Sequence, residues 1–70
     1  MERGKIQVPS QDIIDGILAV RDTGLTNMFD VAVVIDIAKT LGYSTTAKWI
    51  QANMIEYAKG IIQGYEVAER

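Results

Sequence analysis

The sequence predicts an all-α fold, a compact domain of three helices at about residues 10–23, 27–41 and 45–63 that associates into an oligomer. Three observations carry that expectation. Apolar residues recur at helical spacing in three stretches, glycines and capping residues separate those stretches, and the chain is short and without covalent staples. It has 70 residues, 49% hydrophobic against 23% charged, with no Cys and no His. A domain of this size buries a modest fraction of its surface, so its stability as a monomer is marginal. Disulfides and the common zinc ligand sets are both unavailable to reinforce it. Self-association is the remaining remedy, and an apolar composition suits it.

MERGKIQVP, residues 1–9, reads as an N-terminal arm ending at Pro9, whose ring biases Val8 toward extended backbone. Ser10 is placed to cap the first helix, and Asp12 to face the positive end of its dipole. Ile13, Ile14, Ile17 and Leu18 fall at i, i+1, i+4 and i+5, which makes one apolar stripe. Gly24 is a natural stop, because glycine takes the left-handed conformation without steric cost. Thr26 or Asn27 then caps the second helix, and with Asn27 as cap Asp30 stands at the third helical position, a capping box with the shorter acid. Between Met28 and Leu41 little polar face remains, so this helix is central or shared between subunits. The run at 33–35 also fits a buried strand. Gly42 ends the helix and Ser44 or Thr45 begins the third, which continues through Trp49, Ile50, Met54, Tyr57, Ala58, Ile61 and Ile62 to a stop at Gly64. Gly60 inside it costs about 1 kcal/mol relative to Ala and gives another backbone room to approach. Residues 65–70 are expected to fray, leaving 10–64 as the single helical domain.

Seven basic and nine acidic residues give a net charge of −2, which lacks the positive field that nucleic-acid binding requires. Arg3 and Lys5 are not followed by a long apolar run. With neither a signal peptide nor a transmembrane helix in the pattern, no membrane contact is expected and the cytoplasm is the expected compartment. Catalysis is the weakest reading. Nucleophile and base pairs of the commonest kinds need Cys or His, and no Lys is marked by spacing as the partner of a Ser or Thr. Paired carboxylates are possible at Asp12 and Asp15, which share a helix face, at Asp15 and Asp22, or at Asp30 and Asp36, but they read as solvated charges outside the apolar stripe. The expectation is therefore a non-enzyme with no cofactor and no metal.

Two stretches invite a binding reading. IAKTLGYSTTAKWI has the outline of a helix-turn-helix, yet Lys48 stands where an apolar residue is wanted and Trp49 falls one position late. Its second helix offers Lys48, Gln51 and Asn53 to DNA, with Glu56 repelling phosphates. RDTGLTNMFD, residues 21–30, is the other. Arg21 is the only Arg between residues 4 and 69, and Thr23, Thr26 and Asn27 follow it where the second helix begins with unpaired amides. A guanidinium fork, hydroxyls and helix N-terminal amides together make an anion cradle. The same residues also make a plain joint. Arg21 pairs with Asp22, Asp30 or a carbonyl, Gly24 ends one helix, Asn27 caps the next, and Leu25, Met28 and Phe29 fill the core.

ILAVRDTGLTNMFD, the apolar helix after it, Gly42–Tyr43, Glu56–Tyr57 and the isoleucine pair and glycine beyond resemble a family of short phage and prophage proteins of unassigned function that carry an RDTG-x-TNMFD signature. The resemblance spans about residues 13–64 and is specific across 17–30; STTAKWIQANM is less acidic than the family's third helix. It implies a phage-borne accessory protein and supplies no reaction. A signature denser than capping requires points to a functional role for Arg21, Thr23, Thr26, Asn27 and Asp30. The expected function is binding of a nucleotide-like anion or a host protein by a homo-oligomer, to counter host defence. Arg21 takes the anion, Thr23 and Asn27 orient it, and Tyr43 or Trp49 stacks on a base. The alternatives are a helix-turn-helix-like DNA-binding regulator and a purely structural homo-oligomeric interaction module.

Overall fold

The computed structural model describes residues 4–68. Arg3, and the last two residues of the tail expected to fray, lie outside that range. Four helices and two short strands follow in the order β1 (Ile6–Val8), α1 (Gln11–Thr23), α2 (Val31–Thr40), α3 (Ser44–Ala52), α4 (Met54–Gln63) and β2 (Tyr65–Val67). The fold is mostly helical, as the periodicity predicts, but the expected third helix is two helices.

Asn53 divides them. Its backbone, at φ −138° and ψ 51°, leaves the helical region, and its amide donates to the Ile50 carbonyl at 3.2 Å. The side-chain Nδ2 donates to the Trp49 carbonyl at 3.0 Å, while the Asn53 carbonyl accepts from the Tyr57 amide at 2.8 Å. A short amide side chain that competes for helix carbonyls thus closes α3 and opens α4 at one residue.

α1 begins and ends near its expected bounds. Ser10 has the extended backbone of an N-cap, although its side chain makes no capping bond, and Gly24 takes the left-handed conformation at φ 66°. α2 begins later than the expected residue 27. Asn27 Oδ1 accepts from the Phe29 amide at 2.8 Å and the Asn27 carbonyl accepts from the Asp30 amide at 2.9 Å, a turn that uses the residues expected to form the first helical turn. Asp30 then occupies the N-cap position without a side-chain capping bond, so the expected capping box does not form. Residues 33–35 are helical.

The arm and the tail pair with each other. β1 and β2 form a parallel two-stranded sheet with Ile6 opposite Tyr65, Gln7 opposite Glu66 and Val8 opposite Val67. The Ile6 amide donates to the Gly64 carbonyl at 2.9 Å and the Ala68 amide to the Val8 carbonyl at 2.8 Å, extending the ladder at both ends. Tyr65–Val67 is therefore a strand where fraying was expected. Gly64, at φ 91°, turns the chain out of α4 and into it.

The core is Val8, Ile13, Ile17, Val20, Val34, Ala38, Ala47, Ile50 and Tyr57, all buried. α1 approaches α3 closely enough that a Cβ on Gly16 would lie 2.1 Å from Thr46 Oγ1. That buried hydroxyl donates to the Asp12 carbonyl at 3.0 Å. Leu25 and Phe29 do not fill the core: they are 73% and 52% exposed, because the chain between α1 and α2 runs over the surface. Met28 alone of the three packs against the core.

Candidate functional site

The RDTGLTNMFD stretch reaches the rest of the molecule through a chain of tyrosines. Tyr57, buried on α4, donates its hydroxyl to the Met28 carbonyl at 2.6 Å. Tyr65 in turn donates its hydroxyl to the Tyr57 carbonyl. Burial pushes the Tyr57 hydroxyl up to about 12, and burial together with the neighbouring Tyr57 raises Tyr65 as well. The Tyr65 ring lies in the space a Cβ on Gly60 would occupy, so Gly60 admits an aromatic ring rather than another backbone. Trp49 meets the same ring edge-on at 6.2 Å between centroids. Neither Tyr57 nor Tyr65 belongs to the ligand set expected from the sequence, where Tyr57 stands only on the apolar run and in the Glu56–Tyr57 pair. The available signal was a tyrosine on the apolar stripe of α4, since a buried hydroxyl needs a partner.

Most polar groups of the signature are engaged locally. Thr23 Oγ1 donates to the Val20 carbonyl at 2.6 Å and accepts from the Leu25 amide at 3.1 Å, which closes the end of α1. Thr26 Oγ1 makes a long contact of 3.4 Å to the Asn27 carbonyl, and Asn27 Oδ1 holds the Phe29 amide. Asp30 is exposed, with its carbonyl accepting from the Val34 amide at 3.0 Å. Arg21 differs. Among the described residues its ion-pair partner is Asp22, at 4.0 Å, and both side chains are mostly exposed.

Arg21 lines a groove of about 320 Å³ between α1 and α4. α1 contributes Ile14, Ile17 and Leu18 as well, α4 contributes Gly60 and Ile61, and Met28, Gly64 and Tyr65 complete it. This is the expected apolar stripe of α1, left partly uncovered. None of Thr23, Thr26, Asn27 or Asp30 lines the groove. Tyr43 instead borders a separate cleft with Asp12, Ser44, Thr45 and Thr46, and Trp49 borders neither. The expected anion ligand and the expected base-stacking rings are thus in different places.

α2, the turn at Gly42 and α3 follow one another as a helix-turn-helix would, and Ser44, Thr45, Lys48 and Gln51 are exposed on α3. Among the described residues no helix is long and apolar enough to cross a membrane, and no three Asp or Glu side chains cluster to hold a metal.

These features define a small, mainly helical domain in which Ile6–Val8 and Tyr65–Val67 pair as parallel strands beside an apolar groove lined, among the described residues, by one cation. Residues 10–65 match the family described as "Domain of unknown function (DUF5049)", and the chain belongs to that family. No curated protein and no solved structure matches it.

Proposed function

We propose that this chain is a non-enzymatic interaction module that associates with copies of itself through the outward face of α4 and, as that oligomer, engages a host protein. One observation carries the reading. Ile55 and Ile62, two helical turns apart on the side of α4 opposite Tyr57, are 68% and 70% exposed. A helix that is apolar on both faces in so small a domain is the pattern of a shared surface. Met54, also exposed, widens the same end of the helix. The resemblance to phage and prophage proteins supports an accessory role against host defence, in which a compact apolar surface blocks a host component.

Light scattering after size exclusion over a hundredfold concentration range tests the first half. The wild type is expected to be oligomeric, and the double substitution Ile55→Glu with Ile62→Glu monomeric with helical content unchanged. A wild type that stays monomeric throughout, or a double variant with the same assembly state, sinks the proposal.

A second reading, an anionic ligand at Arg21, is favoured by the long, exposed ion pair of a guanidinium that lines the groove. The DNA-binding reading has less behind it, because Lys48 is the one cation on α3 and the chain is net acidic.

A further inference from the structure

We propose that the groove between α1 and α4 binds a single-headed amphiphilic carboxylate, with the apolar body along Leu18 and Ile61 and the head group at Arg21. This deepens the ligand reading of Arg21 and rests on it. Among the described residues Arg21 is the single charged one that lines the groove; Ile14, Ile17, Leu18, Met28 and Ile61 supply apolar side chains. Tyr65 presents its ring, because its hydroxyl is held by the Tyr57 carbonyl. Arg21 and Tyr65 are the polar side chains among the lining residues, so a nucleotide or sugar finds few hydrogen-bonding partners there, whereas a hydrocarbon chain needs none.

The charge balance selects the head group. One guanidinium complements one negative charge in a bidentate fork, and among the described residues no second cation lines the groove for a phosphate dianion. Arg21 is available for it. Its contact with Asp22 joins adjacent helical residues, which do not face each other, and both side chains are solvated, so an arriving carboxylate displaces little. The volume of about 320 Å³ is at the lower end of small-molecule sites, which favours a short chain of roughly eight carbons. Gly60 keeps the groove in this form, since a side chain there would displace the Tyr65 ring from its wall.

Amide NMR titration of the full chain with sodium octanoate, octanol and adenosine monophosphate tests the site, in the wild type, Arg21→Gln and Leu18→Gln. Octanoate is expected to shift amides around Leu18 and Ile61 and to bind at least about tenfold more tightly than octanol, the scale of one charge-assisted hydrogen-bond pair. Arg21→Gln should bring octanoate to the level of octanol, and Leu18→Gln should weaken both. Because both side chains are partly exposed, unchanged spectra elsewhere establish that the variants keep the fold. Equal binding of octanoate and octanol to the wild type overturns the proposal. Arg21-dependent shifts with the nucleotide and none with octanoate would overturn it while leaving the anion reading standing. If no probe binds, both fall.

Discussion

The hydroxyl of Tyr57 and the carbonyl of Met28, 2.6 Å apart, join the middle of α4 to the loop between α1 and α2. Twenty-nine residues separate them in the chain, and the bond fixes the loop at the one apolar residue of RDTGLTNMFD that packs on the core. Tyr57→Phe removes the donor, keeps the ring and leaves the Met28 carbonyl without it. A loss of about 1–3 kcal/mol is expected, read as a lower urea midpoint at unchanged slope. The loop amides Leu25 and Phe29 should also exchange faster, since their turns are anchored through Met28.

Gly60→Ala is expected to destabilise by about 1–3 kcal/mol, because the new methyl would lie 1.9 Å from Tyr65 Cε1 and the ring must move. The sign should reverse once the ring is gone. In a Tyr65→Ala background, alanine at 60 ought to stabilise by up to about 1 kcal/mol through helix propensity alone. A double-mutant cycle measures the coupling, and additive effects would show that the ring does not occupy that space.

High pH should unfold the protein in a defined window. The Tyr57 hydroxyl is raised to about 12 by burial, and Tyr65 is raised too, whereas in the unfolded chain both ionise near their ordinary value of 10.0. The folded state therefore keeps protons that the unfolded state releases. The stability tied to these hydroxyls is fully present below pH 10 and is lost as pH rises toward 12. Denaturant midpoints measured at intervals above pH 9 should fall across that range, and less steeply in Tyr57→Phe.

Arg21→Ala should leave the stability nearly unchanged, within about 0.5 kcal/mol of wild type, because the side chain is exposed and its ion pair among the described residues is long. Thr23→Ala should cost more, about 1 kcal/mol, since its hydroxyl both donates to Val20 and accepts from Leu25. Thermal melts of the two variants separate the residue that braces the joint from the residue that faces the groove.

Deleting residues 65–70 would be neutral if they frayed. Tyr65 instead covers Gly60, meets Trp49 and pairs with Ile6. We expect truncation after Gly64 to cost about 3 kcal/mol or more, the scale of losing a packed aromatic, and to broaden the thermal transition.

The helices were legible in the sequence wherever the apolar repeat was long and the punctuation was glycine. Gly24 ends α1 as read, and of the expected stripe Ile13 and Ile17 are buried, while Ile14 is half-buried, Leu18 is exposed, and Val20, outside the expected stripe, joins the core. The break at Asn53 was not legible because the repeat continues through it: Ile50, Met54 and Tyr57 keep helical spacing across a break made by hydrogen bonds of one asparagine's side chain and backbone. The parallel pairing of Ile6 with Tyr65 was invisible for a different reason. Each strand is three residues long, too short for an alternating pattern, and the partners are nearly the whole chain apart. Within the signature, the chain could be read as donor and acceptor residue types but not as bonds. Thr23 and Asn27 are engaged by their own neighbours, and Leu25 and Phe29 point outward, so Arg21 alone of the expected ligand set lines the groove.

The direction of that short sheet governs how the domain would respond to tension. A pull through the chain on either side draws β1 toward its start and β2 toward its end, opposite forces on parallel neighbours. The ladder is then loaded in shear, with its hydrogen bonds strained together rather than peeled one at a time. Until it ruptures the force passes directly from one strand to the other and the four helices bear none of it. Stretched in a single-molecule experiment, the domain should stay at native length to one rupture and then release its helical interior in a single step.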